Sequence, residues 1–257
     1  MRVFLINLAC RPDRLSLMET QLSSLELPFS RIDAVDGLGD SDIGYPDNHP
    51  ILSKAEYACY LSHLKLWQAF VETGDSHCLV LEDDVVLAKS IPNILRHKSF
   101  FQHNAALTRL ERHRHSSLIS KFAHGRFKSR RLVRMFEFEG SSGAYVLSRN
   151  FALYLIKHHS KPEIPADHIL LDHRRTHFKK HIIYMLDPAA ACQRHFLDPS
   201  DPDYDTNSDL MPTRIKMPTP ARKTAVQKVL HFFLIQIFRN IRHNLFRTRK
   251  FIRFSKD

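Results

Sequence analysis

The chain has 257 residues, 43% apolar and 25% charged, enough for one large domain, or one domain plus an extension, with a sizeable core. Its net charge of +11 is uneven: residues 109–134 hold nine Lys/Arg against Glu111, and residues 221–257 hold ten against Asp257. The remainder is mildly acidic, and no RNP-like or zinc-finger pattern or interleaved basic-aromatic run occurs, so no nucleic-acid partner is expected.

In the first half, short apolar runs alternate with helical patterns, which predicts an α/β sheet flanked by helices. A strand near 3–8 precedes a helix near 12–25, where Leu15, Met18, Leu22 and Leu25 fall at helical spacing. A strand near 29–34 opens into a turn-rich loop, 36–50, containing Gly37, Gly39, Gly44, Pro46 and Pro50. Ser53 is placed to cap a helix over 53–73, with Glu56 at the capping-box position, so Glu56 carries a structural reading as well as a functional one. A central strand at 78–82 and a helix at 91–104 follow. Residues 105–134, rich in His, Arg and Lys and poorly periodic, read as a mobile loop or inserted lid.

Strands near 134–138 and 144–147, helices at 148–159 and 166–177, and a strand at 181–186 complete a domain over 1–195. Residues 196–220, with five prolines and several Asp, read as an irregular linker. Residues 221–257 read as a basic amphipathic helical extension, with Val226, Leu230, Phe233, Ile237, Ile241 and Leu245 at helical spacing. An apolar stripe flanked by base predicts an in-plane helix on an anionic membrane surface, the alternative being packing on the body or on a second subunit.

Cys10, Cys59, Cys78 and Cys192 are far apart, so reduced and mostly buried thiols are expected. The first residues run straight into a strand, without the charged lead and apolar stretch of a secretory signal, and no apolar run is long enough to span a bilayer. Together these readings predict a cytoplasmic protein attached peripherally to the inner face of the membrane.

The sharpest chemical feature is Cys78-Leu79-Val80-Leu81-Glu82-Asp83-Asp84-Val85-Val86-Leu87. Three successive carboxylates at the end of a buried strand are disfavoured by repulsion and desolvation. A divalent cation reverses that balance, and strand ends in open α/β sheets face the ligand crevice. Glu82 and Asp84 are therefore candidate metal ligands near a phosphate. The competing reading is a solvated acidic turn.

Other blocks accompany it in order: Val3 to Leu8 with Arg11-Pro12-Asp13-Arg14-Leu15, Ile32 to Gly37, Leu52 to His63, Trp67, Gly143 to Ser148, and Pro165-Ala166-Asp167. In this order the chain resembles glycosyltransferase family 25 over residues 1–195, with Ala55 standing where the family usually has Gly. The resemblance implies a GT-A-like, Rossmann-type sheet. It also implies inverting transfer of a hexose from a UDP-sugar to a glycolipid or oligosaccharide acceptor of lipopolysaccharide or lipooligosaccharide. UDP-galactose leads among the donors, with UDP-glucose and UDP-N-acetylglucosamine left open. Inversion requires a single general base.

Under that resemblance Asp84 is the direct ligand of Mn²⁺ or Mg²⁺, and Glu82 lies nearer the ribose or a metal-bound water. Asp83 joins the donor site. Asn7 and Leu8 end the first strand, where a base or ribose would lie, and Arg11 and Arg14 can reach a diphosphate through forked hydrogen bonds. Asp36 contacts uracil or ribose, or makes a turn before Gly37. His63 lines the donor pocket or is a packed helix histidine. Asp167 is the candidate general base, with helix capping as its bland reading, and Asp172 comes next. Gln193 or His195 could complete the metal shell, while His113, His115, His158 and His159 read as solvated. Two other classes compete: an inactive scaffold serving as an interaction module, and a basic nucleic-acid binder.

Overall fold

The computed structural model describes residues 1–39, 42–47, 49–97, 101, 105–112, 115–137, 140–172, 181–205 and 246–257. β1 (Arg2–Asn7), β2 (Phe29–Asp33) and β3 (His77–Glu82) form a parallel trio in the order β2-β1-β3. Helix α1 (Pro12–Ser24) follows β1 and α2 (Lys54–Glu72) precedes β3. Every second residue of β1 faces the same way. Val3 and Leu5 pack with Leu79, Leu81 and α1 residues Met18 and Leu22, whereas Phe4 and Ile6 pack with Val80 and α2 residues Leu64, Trp67 and Phe70. Burial on both faces makes β1 and β3 nearly continuous apolar runs.

β4 (Val85–Leu87) and α3 (Ile91–Arg96) come next, then β5 (Ala105–Arg109), β6 (Ser117–Ser120), β7 (Gly125–Phe127) and β8 (Arg130–Arg134). β9 (Ala144–Ser148), α4 (Arg149–His158), α5 (Ala166–Leu171), β10 (Ile182–Asp187) and β11 (Ala191–Gln193) follow, and β12 (Arg247–Lys250) is last. The eight-stranded sheet runs β2-β1-β3-β9-β5-β10-β8-β7; β11 pairs with β4 and β12 with β6. Helices α2, α4 and α5 share one face of the sheet, and α1 and α3 the other. This is the α/β sheet flanked by helices that the patterning predicts. Among the described residues, no helix is long and apolar enough to cross a membrane.

Residues 105–134 are corrected. Their described part is four strands rather than a lid, and β5 lies inside the main sheet between β9 and β10. Strands of three to five residues are too short to show a period, and two arginines that look like surface charge are buried. Arg109 bonds Glu111 at 3.1 Å; Arg130 donates to the Ala189 and Ser255 carbonyls at 2.6 and 2.8 Å and to Asp257 Oδ1 at 2.6 Å. The strand expected near 134–138 is instead β8, ending at Arg134. The helices expected at 91–104 and 166–177 are short, Ile91–Arg96 and Ala166–Leu171, with 98–100, 102–104 and 173–180 outside the described residues.

The helical extension is corrected in its last part. Arg247–Lys250 is a strand against β6; Ile252 is buried, and Phe254 bridges Ala189. Half of the ten basic residues in 221–257 lie in 246–257, and several of these are paired on the body: Lys250 with Asp187, Lys256 with Asp201 and Asp203, Arg249 with Glu137. The apolar stripe Val226 to Leu245, and residues 206–220 of the expected linker, lie outside the described residues. The linker's described start, 196–205, is held by turn bonds at Asp198 and Asp201. All four cysteines are free thiols; Cys78 and Cys192 are buried, Cys59 half-buried and Cys10 exposed.

Candidate active site

Parallel pairing of Ile6 with Glu82 brings the carboxyl ends of β1 and β3 side by side. The loop after β2 and the first half of α2 close the other walls, leaving a cleft of about 220 Å³. Asn7, Leu8, Arg11, Arg14, Asp36, His63, Glu82, Asp83 and Asp84 all line it, as do Cys59 and Gln193. Such a crevice at strand ends is where open α/β sheets hold ligands.

α2 is aimed by its cap. Ser53 Oγ accepts from Glu56 N, and Glu56 Oε2 accepts from Ser53 N at 3.0 Å. Glu56 is buried in this capping box, so its structural reading is the observed one. Ala55 does not disturb that turn. Gly37 packs on it, and a side chain at 37 would come within 2.7 Å of the Ala55 Cα. Asp36 makes the turn: its Oδ1 accepts from Leu38 N and Gly39 N at 2.8 and 3.0 Å.

The three acids divide by partner. Asp83 accepts from Asn7 Nδ2 at 2.7 Å and from Arg14 Nη1 at 3.2 Å, all three side chains being buried. Burial pushes its carboxyl up, and the Asn7 bond and Arg14 charge pull it back. Arg14 is thus committed to Asp83 rather than extended toward a diphosphate. Asn7 also accepts from Arg31 Nε, and Arg11 pairs with Asp13 at 2.9 Å.

Glu82 Oε1 takes His63 Nε2 at 3.2 Å and Ser142 Oγ at 3.0 Å. His63 Nδ1 lies 2.9 Å from the Tyr145 hydroxyl, which accepts from Trp67 Nε1 at 3.1 Å. A carboxylate only accepts and an indole N–H only donates. The directions therefore follow: Trp67 to Tyr145, Tyr145 to Nδ1, and Nε2–H to Glu82. His63 has no exposed surface, so its packed reading holds while its edge also reaches the cleft.

Asp84 and Glu82 share one neutral donor. Gln193 Nε2 lies 3.1 and 3.2 Å from the Asp84 oxygens and 3.4 Å from Glu82 Oε2, while Gln193 Oε1 accepts from Ser141 Oγ at 2.5 Å. His195 Nδ1 is 4.0 Å from Asp84 Oδ2. Burial, then the charges of Glu82 and Asp83, push the Asp84 carboxyl well above the usual range. Two repelling carboxylates joined by one weak donor are a donor set that suits a hard divalent cation.

Asp167 and Asp172 are buried and are not among the residues lining this cleft. Pro165, not Asp167, caps α5. Asp167 Oδ2 accepts from Ser141 N at 3.0 Å and Oδ1 from His168 N at 2.9 Å. Its role in the structure is to hold the loop 140–143. Ser141 there has φ +77, Arg109 donates to Gly140 O at 2.8 Å, and Glu82 N donates to Gly143 O at 2.8 Å. A side chain at Gly143 would fall 2.6 Å from Glu111 Oε2 and 3.0 Å from Val85. His113 is outside the described residues, His115 and His158 are exposed as expected, and His159 is instead half-buried against Tyr154.

Sequence reasoning missed Ser141, Ser142 and Tyr145 as site residues. Tyr145 had a signal: a hydroxyl inside the buried strand Ala144–Ser148 needs a partner. Glu111 also had one, as the only acid within 109–134.

A family model described as glycosyltransferase family 25 (LPS biosynthesis protein) matches residues 1–170. Inactive glycosyltransferase 25 family member 3 of Homo sapiens is 41% identical over 96 residues, 32% of this chain and 16% of that protein. Procollagen galactosyltransferase 1-B of Xenopus laevis is 36% identical over 96 residues, with the same shares of 32% and 16%. These matches thus span about a sixth of the relatives' length. Among solved structures, A197 from STIV shares 16% identity at a TM-score of 0.44, covering 87% of this chain and 98% of that one.

Proposed function

The chain belongs to glycosyltransferase family 25, and on that footing we propose that it moves a hexose, galactose first among candidates, from a UDP-sugar to a saccharide acceptor of lipopolysaccharide or lipooligosaccharide. The observation that carries this is the division of labour at the acidic turn. Asp83 is taken up by Asn7 and Arg14, while Glu82 and Asp84 share Gln193 in the same cleft. Those two carboxylates would hold Mn²⁺ or Mg²⁺, which supplies positive charge to a leaving diphosphate. Asn7, Leu8 and Asp36 form the wall where a nucleoside would lie, and Arg11 also lines the cleft. His63 and Ser142 orient Glu82 by donating to it.

For the general base, Asp167 and Asp172 remain our candidates by sequence, and Asp167 would have to exchange its bond to Ser141 N for the acceptor hydroxyl. The enzyme would meet a glycolipid acceptor at the cytoplasmic face of a membrane, with residues 221–245 as the attachment. Incubation with UDP-galactose, UDP-glucose and UDP-N-acetylglucosamine plus manganese and a lipooligosaccharide acceptor, read by product mass, tests the proposal. A single added hexose supports it, and no mass change with any donor counts against it.

One specific observation favours a second reading, an inactive interaction module: the human relative named above is itself described as inactive. Intact Glu82 and Asp84 argue for activity.

A further inference from the structure

Cys59 and His63 stand one turn apart on α2, so both project from one face toward the end of β3. There they meet Glu82: one ligand atom from each of the three lies within 4.8 Å of the other two. His63 is fully buried, Cys59 and Glu82 are half-buried, and all three line the cleft. Thiolate, imidazole and carboxylate together form a borderline-soft set that selects zinc or cobalt over magnesium and manganese. Three protein ligands beside open space match the geometry of a zinc site that keeps a free position. Outer partners stand within reach, with Tyr145 at His63 Nδ1, Trp67 on Tyr145, and Ser142 on Glu82.

We propose that Cys59, His63 and Glu82 form a binding site for a zinc-class transition-metal ion in this cleft, distinct from the Glu82–Asp84 oxygen pair and competing with it for Glu82. Occupancy requires Cys59 to give its thiol proton to solvent. The Tyr145 hydroxyl turns its own hydrogen away from Nδ1, His63 carries its ring proton on Nδ1 instead of Nε2 and donates it to the Tyr145 oxygen, and Nε2 then faces the metal. No redox change or co-reactant is needed. A zinc ion seated here withholds Glu82 from the hard cation, so zinc acts as an antagonist of manganese or magnesium binding. The site stands whether or not the cleft transfers sugar.

The test is cobalt titration of the reduced full chain. We expect a thiolate-to-cobalt charge-transfer band in the near ultraviolet, saturating at stoichiometric metal and reversed by zinc. The band should vanish in Cys59→Ser and persist in Cys10→Ser and Asp84→Asn. Cys10, exposed and also on the cleft, is the necessary control. A second measurement needs no variant: alkylation of the wild-type chain followed by peptide mass. Zinc at about ten times its Kd should slow modification of Cys59 roughly tenfold, leave Cys10 unchanged, and not be mimicked by magnesium. Absence of the band in the wild type, its survival in Cys59→Ser, or equal alkylation of Cys59 with and without zinc would overturn the site.

Discussion

His63 Nε2 donates to Glu82 Oε1 across 3.2 Å, from a ring whose other nitrogen is fixed by Tyr145. The acidic turn is therefore anchored to the core through Trp67, Tyr145 and His63 in series. Tyr145→Phe should cost about 1–3 kcal/mol, because it strands buried groups on Trp67 and His63 without filling new space. Urea denaturation measures this. Manganese affinity should fall as well, since Glu82 loses its oriented donor.

Arg14 is the cation that makes a buried Asp83 tolerable. Arg14→Met should destabilise the protein by roughly 3–5 kcal/mol, as expected when one partner of a buried pair is removed. Asp83→Asn in the same background should recover much of that loss. If Arg14 instead served only a diphosphate, Arg14→Met would weaken UDP binding and leave denaturation unchanged.

Glu111 gives a pH signature. Burial pushes its carboxyl up to about 7, with Arg109 pulling back and Glu82 adding to the rise. A raised carboxyl binds more protons in the folded state than in the unfolded one, so its contribution is fully present below the unfolded value of 4.5 and is lost as pH rises toward 7. The stability difference between wild type and Glu111→Gln should therefore shift against wild type across that window, by a few kcal/mol at most. Denaturation at stepped pH reads it. A difference that is flat with pH would mean that Glu111 is ionised throughout beside Arg109.

Residues 246–257 are a clasp on the body. Removing them strips Arg130 of the Ser255 carbonyl and Asp257, and removes β12 from β6. A chain ending at 245 should lose several kcal/mol of stability, so truncation is the wrong test of membrane attachment. Neutralising Arg222, Lys223, Lys228, Arg239 and Arg242 leaves the clasp intact. Flotation with anionic vesicles should then fall, by about 1 kcal/mol of binding per charge removed. Unchanged flotation would remove residues 221–245 from the membrane proposal.

The parallel trio, α1, α2 with its capping box, and the acidic turn could be read from sequence, because each has a local signature of period, cap or apolar run. Among the partners of the acids, Gln193 and His195 could be named from sequence as candidates for the metal shell, but the pairing of Arg14 with Asp83 could not. Arg14 and Asp83 are 69 residues apart, and nothing local shows that a helix-start arginine turns inward instead of toward a ligand. Gln193 reached the site through β11 pairing with β4, a contact that three-residue strands do not announce. Residues 105–134 were hidden for the opposite reason, since buried arginines with distant carboxylate or carbonyl partners look like a solvated basic loop.

The account turns on Glu82 and Asp84 presenting a cation to a nucleotide diphosphate. The most direct test is equilibrium binding of UDP with manganese or with EDTA, for wild type and Asp84→Asn. Manganese should tighten UDP binding by at least about tenfold in wild type, which is roughly 1.4 kcal/mol, and should have no effect in Asp84→Asn. Equal UDP affinity with and without manganese in the wild-type chain, or the same manganese response in both proteins, would contradict it.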